Sequence, residues 1–165
     1  MKKAVFAFIL LLCSAQSFGV DHLYVGGRAG FTGLTSTLRA THGSSAGFGV
    51  DLGFRTNPFL DVLLQFHQSR HNAGLNISSF FMSTDLNLVR YGSMDFFLSI
   101  GPGIYFFTVN TTSETKFGIH GGFGLDYWIG ALRVGVVVRW HGVLSTTAAD
   151  NFFTTMARLG YRINL

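Results

Sequence analysis

Apolar side chains recur at every second position along most of the chain, which is the period of a β-strand and not of a helix. Residues 46–55 are the clearest example, because Phe, Val and Leu alternate there with Gly, Asp and Arg. The same alternation predicts eight strands, at 22–32, 46–55, 59–68, 79–91, 95–108, 117–129, 132–141 and 156–165. Pro102 is expected to break the ladder of its strand at a bulge or an edge.

The connections between these strands alternate in length. Short ones are predicted at 56–58, 91–94 and 130–131, and longer polar ones at 33–45, 69–78, 109–116 and 145–151. This asymmetry is typical of outer-membrane barrels, which have tight periplasmic turns and long outward loops. The pattern therefore predicts an all-β fold, a closed antiparallel eight-stranded transmembrane β-barrel, as a single domain over residues 20–165.

Alternation alone does not say which face of the barrel meets water, because soluble ligand carriers are also eight-stranded. Only 12% of the residues are charged and 48% are hydrophobic. Beyond the first 19 residues the chain has one lysine and one glutamate, Lys116 and Glu114, although a water-facing surface carries many. The apolar side chains also outnumber what an eight-stranded interior holds, which favours an apolar exterior in lipid.

The first 19 residues have the order of a signal peptide, with Lys2 and Lys3 ahead of an apolar core and then small residues. No later apolar run reaches the roughly 18 to 20 residues of a spanning helix. Removal of residues 1–19 would take away Cys13, the only cysteine, and leave ten Lys and Arg against eight Asp and Glu. We therefore expect export to the outer membrane, no thiol chemistry, no nucleic acid as partner and no cofactor.

Charged and imidazole side chains fall on the face opposite to the apolar stripes, which is the lumen of the predicted barrel. The predicted lumen network comprises Arg28, Asp51, Arg55, Asp61, His67, Asp85, His120, Asp126, Arg133, Arg139, His141, Arg158 and Arg162. Charges in a low dielectric are stable only when paired and hydrogen-bonded, so we expect ion pairs that close the lumen. A narrow gated pore is the alternative.

His67, Ser69 and Asp85 also invite a catalytic interpretation as base, nucleophile and orienting acid of a lipid A hydrolase. In lipid A deacylases, however, the His and Ser face the lipid, whereas the alternation turns His67 toward the lumen. A polar lumen residue is therefore the favoured reading of His67, and we expect no enzyme activity. His22 and His71 have no partner at ligand spacing, so no metal site is predicted.

Aromatic residues near strand ends are expected to lie at the two headgroup levels of the membrane. These predicted girdle residues are Phe31, Phe54, Phe66, Tyr91, Phe106, Phe117, Tyr127 and Trp140.

Several strands resemble those of the small outer-membrane β-barrel family of the OmpA, OmpX and OmpW type. The resemblance rests on Gly101-Pro102-Gly103, on residues 117–127 with their repeated Gly-x-Gly, and on residues 134–140. The last strand resembles the family's terminal insertion signal through Leu159, Tyr161, Ile163 and Leu165, although family members usually end in Phe or Trp.

The resemblance implies insertion by the barrel-assembly machinery and contact with outer-membrane lipid and lipopolysaccharide, as a monomer. Known roles in the family include adhesion, anchoring, small-molecule passage and lipid remodelling. We expect a structural or surface-interaction role through the long loops. The alternatives are a narrow channel for small, hydrophobic molecules and a lipid A hydrolase.

Overall fold

The computed structural model describes residues 22–144 and 151–164, in which eight strands form a closed antiparallel barrel. The strands are β1 (His22–Leu34), β2 (Ser45–Asn57), β3 (Leu60–Arg70), β4 (Leu75–Tyr91), β5 (Met94–Val109), β6 (Thr112–Ile129), β7 (Leu132–Val143) and β8 (Phe152–Asn164). Each strand pairs with the next, and β8 pairs with β1. The predicted fold class is therefore confirmed. The predicted signal peptide, residues 145–150 and Leu165 lie outside the described residues.

The two ends of the barrel differ in their connections, as expected, but less than the sequence suggests. The turns 58–59, 92–93 and 130–131 define the short-turn end, which also holds the first residue of β1 and the last of β8. At the opposite, long-loop end, the predicted loops 69–78 and 109–116 are wrong, because the connections shrink to 71–74 and 110–111. In the first of these segments Ile77 is buried and pairs with Phe107 of β5, so the strand continues there. In the second, residues 112–116 belong to β6.

The first connection at the long-loop end also contains a helix that the sequence pattern did not predict. Helix α1 (Ser36–His42) follows β1 directly, and Nδ1 of His42 lies 2.9 Å from the carbonyl oxygen of Asn72. Asn72 belongs to a single 3₁₀ turn (Asn72–Gly74) between β3 and β4. The helix is thereby held against the neighbouring connection. No helix among residues 22–144 and 151–164 is long and apolar enough to cross a membrane.

Strand alternation places apolar side chains on the outer surface and most charged side chains in the lumen. The outer surface includes Val50, Leu64, Phe80, Leu98, Phe123, Leu125, Val136 and Leu159, all exposed. Val89 was expected on the inner face but is 60% exposed, like its neighbour Leu88. The cause is a β-bulge between Asn87 and Val89, which shifts the register by one residue and turns both side chains outward.

Pro102 interrupts the β4–β5 ladder without producing the bulge expected from the sequence. Residue pairing stops after Phe81–Gly103 and resumes at Thr84–Ile100 with the register unchanged. Proline has no N–H to donate, so the gap falls where that donor is missing. On the other side of β5, Pro102 pairs with Ile119 and the ladder to β6 is continuous.

Gly101 is required at this gap because β4 and β5 approach closely there. A Cβ atom at Gly101 would overlap the backbone carbonyl oxygen of Met82, whereas one at Gly121 would meet nothing within 4 Å. Gly101→Ala should therefore lower the free energy of unfolding by about 1–3 kcal/mol, the usual cost of overpacking. Urea unfolding of the micelle-refolded barrel would measure it. Gly121→Ala is the matched control, and equal stability of the two variants would contradict the prediction.

Candidate functional site

Arginine and aspartate side chains cross the middle of the lumen and form its central layer. The Nε atom of Arg28 lies 2.7 Å from Oδ1 of Asp51. Nη1 of Arg158 donates to Oδ2 of Asp85 at 3.3 Å, and Nη2 of Arg139 lies 3.8 Å from the other oxygen of the same carboxylate. All five side chains are buried. Five of the predicted lumen residues therefore meet in one layer that joins β1, β2, β4, β7 and β8.

Polar and aromatic neighbours complete this layer. Gln65 donates to Asp51 at 3.0 Å and accepts a bond from the Ser83 hydroxyl at 2.6 Å. The guanidinium of Arg158 lies 4.8 Å from the ring centroid of Phe97, and those of Arg28 and Arg139 lie 5.3 and 5.7 Å from Phe81. Such cation–π contacts stabilise cations that are withdrawn from water. Neither phenylalanine was singled out in the sequence, because both looked like ordinary strand residues.

A second ion-pair layer lies nearer the short-turn end. Arg55 donates to both oxygens of Asp61, at 2.6 and 2.8 Å. Asp95 accepts two bonds from Arg90, at 2.7 and 3.0 Å, and one from the Trp128 indole at 2.9 Å. Asp95 and Arg90 were missed by the sequence reasoning. The alternation did carry the signal for Asp95, since it shares the inner face of β5 with Ser99.

The remaining predicted charges are less completely paired. Asp126 lies 3.6 Å from Nη1 of Arg158 and 3.8 Å from that of Arg133, both beyond hydrogen-bond reach. Arg162 is only partly buried at the short-turn end, where it donates to the Gly130 carbonyl at 3.2 Å and stacks on Trp128. Asp126, Arg133 and Arg162 thus face the lumen at the edge of the paired network.

The three predicted lumen histidines lie on the long-loop side of the central layer. His67 is 3.1 Å from the Thr32 hydroxyl, and His120 is 2.8 Å from the Ser83 hydroxyl. The ring of His141 lies between the Tyr105 and Thr154 hydroxyls, at 3.1 and 3.2 Å. Its imidazole also stacks on Phe152, with 4.4 Å between ring centroids. Each histidine is therefore held by hydroxyl partners.

Between the histidines and the long-loop end, apolar side chains close the lumen, although the sequence suggested a polar lumen throughout. A buried cluster fills this level and consists of Leu34, Leu75, Ile77, Tyr105, Phe107, Val143 and Phe152. Five of its members fall in segments that the sequence assigned to loops or left outside strands, namely Leu34, Leu75, Ile77, Val143 and Phe152. Ion pairs in the middle and packed hydrocarbon at the long-loop end therefore both block the lumen.

The structure does not bring His67, Ser69 and Asp85 together as a catalytic triad. Ser69 lies 3.1 Å from Nε2 of His71, while His67 contacts Thr32 and Asp85 contacts Arg158. The other ring nitrogen of His71 lies 3.1 Å from the Gly43 carbonyl oxygen. Burial lowers the pKa of His71, and the Gly43 carbonyl only partly opposes this effect. Within the described residues no group of three or more His, Cys, Asp or Glu is placed to hold a metal ion.

All eight predicted girdle residues point away from the lumen. Phe31, Phe106, Phe117 and Trp140 lie toward the long-loop end, whereas Phe54, Tyr91 and Tyr127 lie toward the short-turn end. Phe66 lies near the middle of β3, where its ring packs 4.8 Å from that of Phe80. It therefore belongs to the central apolar band. Of the residues that resemble an insertion signal, Leu159, Tyr161 and Ile163 are exposed on the outer face of β8.

An apolar outer surface, a closed antiparallel sheet and a charged lumen define the transmembrane β-barrel class of fold. Solved structures that share this fold include the following three. The chain is similar to Neisserial surface protein A (NspA), with a TM-score of 0.68, 15% identity, and coverage of 87% of this chain and 97% of that one. The N-terminal β-barrel domain of Pseudomonas aeruginosa OprF gives a TM-score of 0.66 and 10% identity, and the match covers 87% of this chain and 98% of that domain.

The attachment invasion locus protein Ail of Yersinia pestis, solved with the heparin analogue sucrose octasulfate, gives a TM-score of 0.58 and 14% identity. The match covers 87% of this chain and 99% of Ail. At such identities the similarity shows the fold alone. No protein-family model matches the sequence, and no curated protein matches it.

Proposed function

We propose that this protein is an integral outer-membrane barrel with a closed lumen, and that it has a structural or surface-interaction role rather than a catalytic one. The observation that carries the proposal is the double closure of the lumen, by the Arg28–Asp51 and Arg158–Asp85 pairs and by the apolar cluster at the long-loop end. A buried, paired network of this kind resists the entry of water and ions.

The exterior and the solved structures of this fold support the membrane part of the proposal. Each strand presents an apolar stripe to the outside, and closure of the sheet satisfies the backbone groups that hydrocarbon cannot. In this proposal the chain is exported by its leader, inserted by the barrel-assembly machinery, and contacts lipid and lipopolysaccharide as a monomer. The short-turn end then faces the periplasm.

The long-loop end carries the proposed surface interaction. Arg39 on α1 and Arg70 at the end of β3 are exposed there, and the partner is unknown. Ail, which has the same fold, was solved in complex with the heparin analogue sucrose octasulfate, so a barrel of this size can hold a bound ligand. Surface loops on a rigid scaffold are common binding elements.

The full-length chain, expressed in a Gram-negative host, should fractionate with the outer membrane and should conduct no large steady current in planar bilayers. The physical reason is that buried ion pairs and the apolar cluster occupy the lumen. A known porin, purified and inserted in the same way, is the control for insertion and detection. A stable porin-sized conductance step would contradict the closed lumen and would favour the channel alternative.

A further inference from the structure

A polar cavity of about 390 Å³ opens at the short-turn end of the barrel. The guanidinium groups of Arg55, Arg90 and Arg162 line it together with the Trp128 indole. The closed-lumen role proposed above makes no use of this cavity. Its lining is nonetheless unusual, because three cations face one small space.

The carboxylates near this cavity are already engaged. Asp61 accepts two bonds from Arg55, and Asp95 accepts bonds from Arg90 and from Trp128. Asp95 also lies 3.4 Å from Nη2 of Arg55. Asp61 and Asp95 are therefore the counter-charges of Arg55 and Arg90. In the part of the chain that the structure describes, Arg162 has no carboxylate within hydrogen-bond reach. Arg133 does not line the cavity, and its Nη1 atom lies 3.8 Å from Asp126.

Unpaired donors accompany this surplus of charge. Arg133 is 1% exposed, yet none of its three side-chain nitrogens has a hydrogen-bond partner among the described residues. The Nε atom of Arg162 is buried and likewise unpaired within residues 22–144 and 151–164. Buried donors without acceptors are rare in folded proteins and call for an acceptor, such as water or a bound ion.

The arginines also crowd around a single aromatic ring. The guanidinium carbons of Arg162, Arg55 and Arg133 lie 5.1, 5.9 and 5.9 Å from the centroid of Trp128. Arg133 additionally lies 5.1 Å from the centroid of Tyr24. Like charges packed this closely repel each other unless an anion compensates them. The arrangement is that of a site prepared for negative charge.

We propose that this cavity binds a phosphate group. Guanidinium forks match phosphate oxygens in pairs, and the negative charge of a phosphate would compensate Arg162, whose guanidinium lines the cavity beside Arg55 and Arg90. The cavity is large enough for a phosphate and a small attached group. In the membrane orientation proposed above, on which this step rests, it would open on the periplasmic side of the barrel. A lipid headgroup and free phosphate share this chemistry.

The test follows the fluorescence of Trp128, which lines the cavity, to detect binding. The chain has two tryptophans, so Trp140→Phe leaves Trp128 as the only one. This variant is refolded in a maltoside detergent, which contains no phosphate, and titrated with inorganic phosphate or with short-chain phosphatidylglycerol. Sodium chloride at matched ionic strength controls for screening. A saturable change in Trp128 emission is expected with a phosphate compound and not with chloride.

Arg162→Gln in the same background should raise the half-saturation concentration at least tenfold. Lys116→Gln, which also removes one positive charge but lies in β6 toward the opposite end of the barrel, should leave it unchanged. Heat-modifiable gel mobility confirms that both variants fold. Tighter binding of the lipid would assign the site to a headgroup, and equal binding would assign it to free phosphate. No saturable response, or the same response in Arg162→Gln, would overturn the proposal, and neither result depends on the conductance measurement.

Discussion

Asp85→Asn should lower the free energy of unfolding by about 3–5 kcal/mol, which is the usual cost of removing one partner of a buried ion pair. Asp85 is the shared counter-charge of Arg158 and Arg139, at 3.3 and 3.8 Å, and all three side chains are buried. Asparagine keeps the shape of the side chain but removes its charge. Arg139 would then lose the carboxylate beside it, and Arg158 would keep only the longer contact with Asp126 among the described residues, at 3.6 Å.

Reversible unfolding in urea, followed by tryptophan fluorescence and by heat-modifiable mobility, measures the change. Glu114→Gln is the matched control, because Glu114 is an exposed acid paired only with Lys116 at 2.9 Å. That substitution should cost less than about 1 kcal/mol, as is usual for exposed pairs. The double variant Asp85→Asn/Arg139→Gln should recover part of the loss. Similar stabilities for Asp85→Asn and Glu114→Gln would show that the central layer does not stabilise the barrel.

Strand period and composition were sufficient to predict the barrel and its orientation of faces. Each strand has two faces in different solvents, so the pattern repeats with a period of two and leaves little freedom in the assignment. The same period places Arg139 and Asp85 on the inner face, and both side chains are buried. A narrow lumen leaves few positions for the polar side chains of that face.

The ends of the strands could not be predicted in the same way. Thr112 to Lys116 looked like a loop because all five residues are polar, yet β5 and β6 pair as far as Val109 and Thr112. A hairpin that projects beyond the apolar band can carry polar residues on both faces, so polarity no longer marks a turn. The bulge after Asn87 was equally invisible, since both Leu88 and Val89 are apolar.

The sequence also could not predict which charged side chains pair with each other in the lumen. Which Arg meets which Asp depends on strand tilt and register, and these are properties of the closed sheet. Arg55 and Asp61 are direct neighbours across β2 and β3, whereas Arg158 reaches Asp85 from a strand on the other side of the lumen. The Arg158–Asp85 contact forms only because the sheet closes into a barrel.

The closed lumen and the surplus charge at the short-turn end are physically related. In the middle layer Asp51 pairs with Arg28 and Asp85 pairs with Arg158, and Asp126 is shared between Arg158 and Arg133. The arginines of the lumen outnumber its aspartates, and the excess lies where the lumen opens to solvent. An anion at that end would complete the network without opening the barrel.

Phe123→Arg should lower the free energy of unfolding by about 2–4 kcal/mol, the cost of an arginine on the lipid face near the bilayer midplane. Phe123 is exposed on the outer surface in the middle of the apolar band of β6, opposite Leu98 of β5 and Val138 of β7. In a soluble carrier the same surface would face water, and arginine there would be tolerated. The substitution therefore tests which solvent surrounds the barrel.

Thr115→Arg is the matched control, because Thr115 lies on the same face of the same strand but beyond the apolar band. It should change stability by less than about 1 kcal/mol, since depth in the bilayer sets the cost. Both variants are refolded into lipid vesicles and unfolded in urea. Equal stabilities would place Phe123 in water, and the apolar exterior would then need another partner than lipid.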